Sequence, residues 1–299
     1  MKQYLFAVSL ATATLVAQAQ ATDTLKKIKD SGSITLGVRE SSGALSFTLG
    51  DGKFAGYHVE LCEKVVSDIR KQLGMSSIAV KYQPVTSQNR IPLVQNGNVD
   101  LECGSTTNNA TRQKDVSFAV TTFVEEVRIA VKANSGITSI NQLAGKTVST
   151  TTGTTSVQTL RRHERATGVD FKEIFGKDHA DSFLLLESGR ADAFVMDAQI
   201  LAGNISKSKS PADFKIVGET LSVEPIAIMF RKDDPAFKKA VDDSLKALMK
   251  SGEIAKIYDK WFTKPIPPAN TALNLPASAA TKDAWATPND KPMEEYAKK

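Results

Sequence analysis

Hydrophobic residues along this chain switch repeatedly between a period of two and a period near 3.6, so strand and helix patterns take turns. TDTLKKIKDSG is a short amphipathic helix ending at Gly32, and ITLGV (34–38) alternates as a strand that delivers Arg39 into the loop RESSGALSF. YHVELCEKVVSDIRKQLG then places apolar residues at 61, 65, 66, 69 and 73, a helical spacing that stops at Gly74. IAVKYQPV reads as a strand. Arg90 opens a short helix capped by Asn89 or Ser87, with Pro92 tolerated in its first turn, and Asn96-Gly97 turns the chain into the strand VDLEC. FVEEVRIAVKA is extended and β-branched, LAGKTVSTTTGTTS brings a strand and a Gly/Thr loop, and SVQTLRRHERATG is a helix. Helix, strand and helix follow up to DFKIV. Such alternation predicts an α/β fold built on largely parallel sheets.

LVQNGNVDLECGS (93–105) and LLESGRADAFVMD (185–197) overlay without a gap. Gly97 meets Gly189, Asp100 meets Asp192, and Ser105 meets Asp197. Helix–glycine–strand junctions are common in α/β proteins, but this one implies two similarly built halves. Each half would end its strand with a polar group at the carboxyl edge of its sheet, where ligands of open α/β sheets sit. The change of half is expected near 125–130, inside FVEEVRIAV, with a return crossing near 222–226 in SVEPIAI. DPAFKKAVDDSLKALMKSGEIAKIYDKWF then finishes the first half, and two crossings make a hinge. From Pro265 onward the chain is rich in Pro, Ala and Asn and reads as surface loop.

MKQYLFAVSLATATLVAQAQATD reads as a secretory leader: Lys2 is charged, Leu5 to Ala17 is apolar, and Ala17-Gln18-Ala19 or Ala19-Gln20-Ala21 suits cleavage. No later run approaches the ~18 uncharged apolar residues of a membrane span. No cysteine lies near the cleavage site to carry a lipid. The expectation is an exported, soluble protein of roughly 278 residues after cleavage, enough for two lobes of ordinary size. Its formal charge of +5, or +4 without Lys2, is mild. RRHER (161–165), the densest basic cluster, reads as a solvated helix face, so no nucleic acid is expected. Cys62 and Cys103 could form one disulfide in an oxidising compartment, although buried free thiols are the plainer reading.

Several polar residues fall at strand C-termini or helix N-termini. Arg39 follows a strand; Arg90 opens a helix, where the dipole disfavours a cation unless an anion meets it. Ser105 and Thr107 follow the strand 99–103, and Arg112 stands in the first turn of the next segment. Gly153-Thr154-Thr155 precedes a helix from Ser156, an arrangement suited to a carboxylate or phosphate. His179 begins another helix, with Asp178 as its cap, and Asp197 follows its strand. Three arginines, one histidine and one aspartate would converge if the halves face each other. That pattern fits an amino dicarboxylate: guanidinium forks bind carboxylates in a bidentate manner, and Asp197 with Ser105 could receive an ammonium. Each residue also has a plain structural role open to it. Arg90 could be a surface ion pair, Asp197 a cap for the helix AQILAG, His179 a structural histidine, and GTTS an ordinary N-cap.

Enzyme motifs largely fail. AGKT at 144–147 has Ile140 where a phosphate loop needs its first glycine, and HERAT lacks the second histidine of a zinc site. No G-x-S-x-G elbow exists, and three His with two Cys poorly supply a metal or Cys–His centre. Neither a metal nor a cofactor is expected.

TSQNRIPLVQNG, ECGSTTNNATRQK, TTGTTS, KDHADSF, LESGRA and KWFTKPIPP together resemble segments of periplasmic glutamate/aspartate-binding proteins, the solute receptors of ATP-driven amino-acid importers. The resemblance runs from about Leu25 to the tail. It implies a two-lobed type II periplasmic binding protein-like fold that closes on its ligand and presents the closed form to a membrane permease. The implied divisions are a leader (1–21), a first lobe (22–127 and 224–264), a second lobe (128–223) and a surface tail (265–299). It also implies that Arg39, Arg90 and His179 meet the ligand's side-chain carboxylate. Arg112, Thr107, Thr154 and Thr155 would meet the α-carboxylate, and Ser105 and Asp197 the α-ammonium. The implied protein is a monomer and not an enzyme. Leu45 departs from the family, which usually places a proline and an aromatic here, and would replace a ring at the pocket wall. The alternatives are an amino- or keto-acid dehydratase on the same scaffold, with Glu40 as acid or base or as a partner of Arg39, and a receptor feeding a chemosensory partner.

Overall fold

The computed structural model describes residues 23–268 and 270–296, so the leader read from the sequence lies outside the described residues. The first half of the fold contributes α1 (Thr24–Ser31), β1 (Ser33–Val38), and a small antiparallel flap of β2 (Ser41–Ser42), β3 (Ser46–Gly50) and β4 (Lys53–Ala55). It continues through α2 (Tyr57–Gln72), β5 (Ala79–Pro84), α3 (Arg90–Gln95), β6 (Leu101–Glu102) and β7 (Val116–Phe118). The second half holds β8 (Phe123–Lys132), β9 (Thr147–Thr151), α4 (Thr155–Thr167), β10 (Lys172–Gly176), α5 (His179–Glu187), β11 (Ala193–Asp197), α6 (Ala198–Lys207) and β12 (Phe214–Ile226). β13 (Met229–Arg231), α7 (Pro235–Ser251) and α8 (Glu253–Phe262) return to the first half, and α9 (Ala279–Ala286) and α10 (Met293–Tyr296) close the chain.

The two main sheets follow one plan. Their strand orders are β5-β1-β6-β13-β7 and β10-β9-β11-β8-β12. In each, the first three strands run parallel and the last two pair antiparallel. The chain crosses between the sheets twice, between β7 and β8 and between β12 and β13. The sequence echo has a physical counterpart here. Gly97 and Gly189 both turn the chain in the left-handed region, at φ 72° and 76°. Asp100 accepts the Thr35 N–H at 2.9 Å, and Asp192 accepts the Thr147 N–H at 2.8 Å. In both halves the aspartate therefore pins its strand's entry to the neighbouring strand, which fixes where the strand's far end emerges.

Both faces of each sheet are buried, and strand alternation divides the core accordingly. In β11, Ala193 and Val195 face one cluster with Val127, Ile129 and Leu160, while Phe194 and Met196 face another with Leu186 and Ile200. In β13, Phe230 joins Leu61, Val65, Phe237 and Leu245 under α2 and α7, and Met229 joins Val94 and Val99 on the opposite side. Leu45 is wholly buried in the core with Phe230 and Leu61 and is not among the residues that line the cavity described below. Cys62 and Cys103 are bridged, contrary to the plainer reading of free thiols. α2 packs across the end of β6 and brings their Cα atoms to 6.3 Å, a separation that pattern reading cannot supply.

The tail also differs from the surface loop expected of it. Alanine is the strongest helix former, and Ser278 accepts the Thr281 N–H to start α9. Thr281 accepts the Val124 N–H at 3.1 Å, and Trp285 donates its indole N–H to the Thr122 carbonyl at 2.8 Å. The tail is thereby fastened to the first crossing. Among the described residues no helix is long and apolar enough to cross a membrane.

Candidate functional site

Three strand ends and three helix starts converge where the halves meet. Arg39 leaves β1, Ser105 and Thr107 follow β6, and Asp197 ends β11. Arg90 is the first residue of α3, and His179 the first of α5. α4 begins at Thr155, one residue earlier than the pattern suggested. Seven of the nine residues singled out from the sequence line one small cavity: Arg90, Ser105, Thr107, Thr154, Thr155, His179 and Asp197, joined by Ser87 and Met196. The cavity is tight, with a volume of about 10 Å³. Arg39 and Arg112 stand one layer behind. A wider recess near Lys132, Leu184 and Phe214 gathers no buried charge.

The guanidiniums are the unusual feature. Arg39 and Arg90 are 0% and 2% exposed, yet Nε and Nη1 of both have no hydrogen-bond partner among the described residues. An unpaired buried donor costs about 1–3 kcal/mol, and more when charged. Burial first, and then the field of Arg112, disfavours the charge of Arg90. The Arg39 guanidinium does have two partners through Nη2, which donates to Asp178 Oδ1 at 2.5 Å and meets His179 Nε2 at 3.2 Å. Glu40, the partner expected from the sequence, is exposed instead. Consecutive residues at a strand end point apart, so adjacency in sequence was a poor guide. Asp178 precedes α5 but makes no side-chain cap; it binds Arg39 and accepts the Ser41 hydroxyl at 2.8 Å. Burial would raise its pKa, but Arg39 first and His179 next hold it at about 2.

His179 is pushed down to about 3, chiefly by burial and then by Arg39. It is therefore neutral near pH 7, and its tautomer follows from its neighbours. A guanidinium can only donate, so Nε2 accepts from Arg39 and Nδ1 carries the hydrogen toward Thr151 Oγ1 at 3.0 Å. In this arrangement the ring buttresses Arg39 rather than offering a hydrogen to the cavity. Asp197 forms no side-chain cap on α6, which removes its plain structural reading. Burial first, and then Glu224, pushes its pKa up to about 8 against the pull of Arg90 and Arg112.

Arg112 opens a short 3-10 turn (Arg112–Lys114), and donates to the carbonyls of Thr107 at 2.9 Å and Gly153 at 3.2 Å, one from each half. Thr154 turns its hydroxyl back to the Thr151 carbonyl, so it faces the cavity with backbone. The first-turn N–H groups of α4 have no intrahelical partners and the helix dipole is positive there, so an anion is favoured. Thr107 and Thr155 both donate their hydroxyl hydrogens to Glu224, at 2.5 and 2.7 Å.

Sequence reasoning missed Glu224, Glu102 and Glu125, all buried near these groups. The signal was an acidic residue inside the apolar strands SVEPIAI, VDLEC and FVEEV. Burial and then Asp197 push the Glu125 carboxyl up.

The sequence pattern of bacterial extracellular solute-binding proteins, family 3, matches residues 34–264. The chain is 47% identical over 289 residues to the L-glutamate/L-aspartate-binding protein of Pseudomonas aeruginosa, covering 96% of this chain and 95% of that one. It is 43% identical over 291 residues to the glutamate/aspartate import solute-binding protein of Escherichia coli K12, covering 95% and 96%. These relatives bear the names of binding proteins, not enzymes. Among solved structures, an ancestral arginine-binding protein bound to glutamine superposes with a TM-score of 0.68 at 31% identity, over 77% of this chain and 98% of that one. The matched span takes in both sheets, both crossings and the cavity between them, and the chain belongs to the bacterial extracellular solute-binding proteins, family 3.

Proposed function

We propose that this protein is exported to the periplasm, captures L-glutamate or L-aspartate between its two halves, and hands it as a monomer to the permease of an ATP-driven importer. The moving units are residues 22–127 with 224–264, and residues 128–223, leaving 265–299 as the tail. The observation that carries the reading is the pair of buried guanidiniums with unpartnered nitrogens beside a cavity whose other wall holds Asp197. Arg90 and His179 at the cavity wall, with Arg39 behind them, receive the side-chain carboxylate. Arg112, Thr107, Thr154 and Thr155 surround the α-carboxylate, and Ser105 with Asp197 takes the α-ammonium. The ligand's charges are satisfied only when both halves contribute, so binding favours the closed form.

The names carried by the relatives agree with an acidic ligand. Mass spectrometry of the protein purified under native conditions, followed by calorimetry after ligand removal, tests the reading. Retained acidic amino acid, returned unchanged, with glutamine bound at least tenfold more weakly than glutamate, is expected. Equal affinity for glutamine, or conversion of the ligand, would overturn it. Capture of an importer permease from membranes, and a single-chain mass in solution, test the partner and the monomer.

A further inference from the structure

Glu224 is not itself part of the cavity wall, yet it holds the hydroxyls of two residues that are. It lies on β12, the strand that returns from the second half to the first, and is 0% exposed. Its Oε2 accepts the hydroxyl hydrogens of Thr107 from the first half (2.5 Å) and Thr155 from the second (2.7 Å), while Oε1 accepts that of Ser222 at 2.8 Å. A hydroxyl has one hydrogen and two lone pairs, and a carboxylate can only accept. Both hydroxyl hydrogens are thus committed to Glu224. What Thr107 and Thr155 present to the cavity through Oγ1 is lone pairs.

We infer that Glu224 is a positioning residue for ligand selectivity: by taking both hydroxyl hydrogens it turns Thr107 and Thr155 into acceptors, which favour a ligand bearing an α-ammonium over one bearing none. The inference rests on the function proposed above and refines it. It moves the Thr107 and Thr155 hydroxyls from the α-carboxylate, where they were placed above, to the ammonium beside Asp197 and Ser105, and leaves the α-carboxylate to Arg112 and to the N–H groups that open α4. Thr107 and Thr155 belong to different halves, and their hydroxyls stand 3.4 Å apart. One carboxylate therefore sets both polarities at once and completes the acceptor pair only when the halves are together.

The test compares L-glutamate with glutarate, which keeps both carboxylates and lacks the nitrogen. In Glu224→Gln the amide can donate as well as accept, which frees the threonine hydrogens to point into the cavity. Calorimetry is expected to show L-glutamate weakened about 10- to 100-fold, as for loss of a hydrogen bond to a charged group, with glutarate unchanged or tighter. Thr107→Val should produce the same selective loss and, combined with Glu224→Gln, add little to it. If Glu224→Gln does not fold, Thr107→Val alone reads the claim, together with tighter binding of 2-hydroxyglutarate than of 2-oxoglutarate by the unmodified protein. Equal weakening of glutamate and glutarate, or additive losses in the double variant, would overturn the role of Glu224 while leaving the proposed function standing. Failure of the unmodified protein to bind any acidic amino acid would overturn the function itself, and this inference with it.

Discussion

Arg90 shows how a residue's position can announce its role. A cation at a helix start opposes the dipole, and the structure adds nearly complete burial with two unpartnered nitrogens. Breaking a buried charge pair costs about 3–5 kcal/mol, so Arg90→Ala should weaken L-glutamate roughly 10²- to 10⁴-fold while affecting glutamine less. Calorimetry showing an equal and small loss for both would remove Arg90 from the site. A pH dependence follows from Asp197. Burial and then Glu224 push its carboxyl up to about 8, but an ammonium needs it ionised. Binding below that value must release a proton, so affinity should climb from pH 6 toward 8 and level off above. His179, held down at about 3, stays neutral throughout that window and adds no slope. Calorimetry at pH 6 in buffers of different protonation heat should report proton release; uptake, or affinity falling toward pH 8, would contradict this.

At the scale of elements, the sequence was informative wherever a side chain sits at the end of a regular pattern. Ser105, Asp197, Arg90 and His179 could be placed because a strand's last residue and a helix's first are visible in the hydrophobic period. Their partners could not. Arg39 and Asp178 are 139 residues apart, and Thr107 and Glu224 are 117 apart, so only the folded chain makes them neighbours. The disulfide is another such pairing; with its cysteines 41 positions apart, its loss should cost about 4 kcal/mol through the unfolded chain's entropy. Reduction should lower the melting temperature by about 10 °C, and an unchanged melting curve would show that the bridge contributes nothing. Closure has its own contact. A Cβ on Gly203 of α6 would stand 2.7 Å from the Gly43 Cα in the opposite half. Gly203→Ala should therefore oppose approach of the halves, at about 1–3 kcal/mol, and weaken ligand several-fold to a hundredfold. An unaltered affinity would mean that the halves need not come this close.

Across the whole molecule, two copies of one sheet plan face each other, and neither half alone supplies both signs of charge the cavity needs. Arg39, Arg90 and Ser105 come from the first half; His179 and Asp197 come from the second. The ungapped echo in the sequence pointed to the paired plan, while the antiparallel strands that join the halves, and the helices of the tail, were hidden by extended and alanine-rich stretches that fit several structures. The most direct test is a crystal structure of the protein with L-glutamate. The account expects the side-chain carboxylate within about 3 Å of the Arg90 guanidinium, and the ammonium against Asp197, with both halves in contact with one ligand molecule. A ligand bound to one half only, or one whose nitrogen faces the arginines, would contradict it.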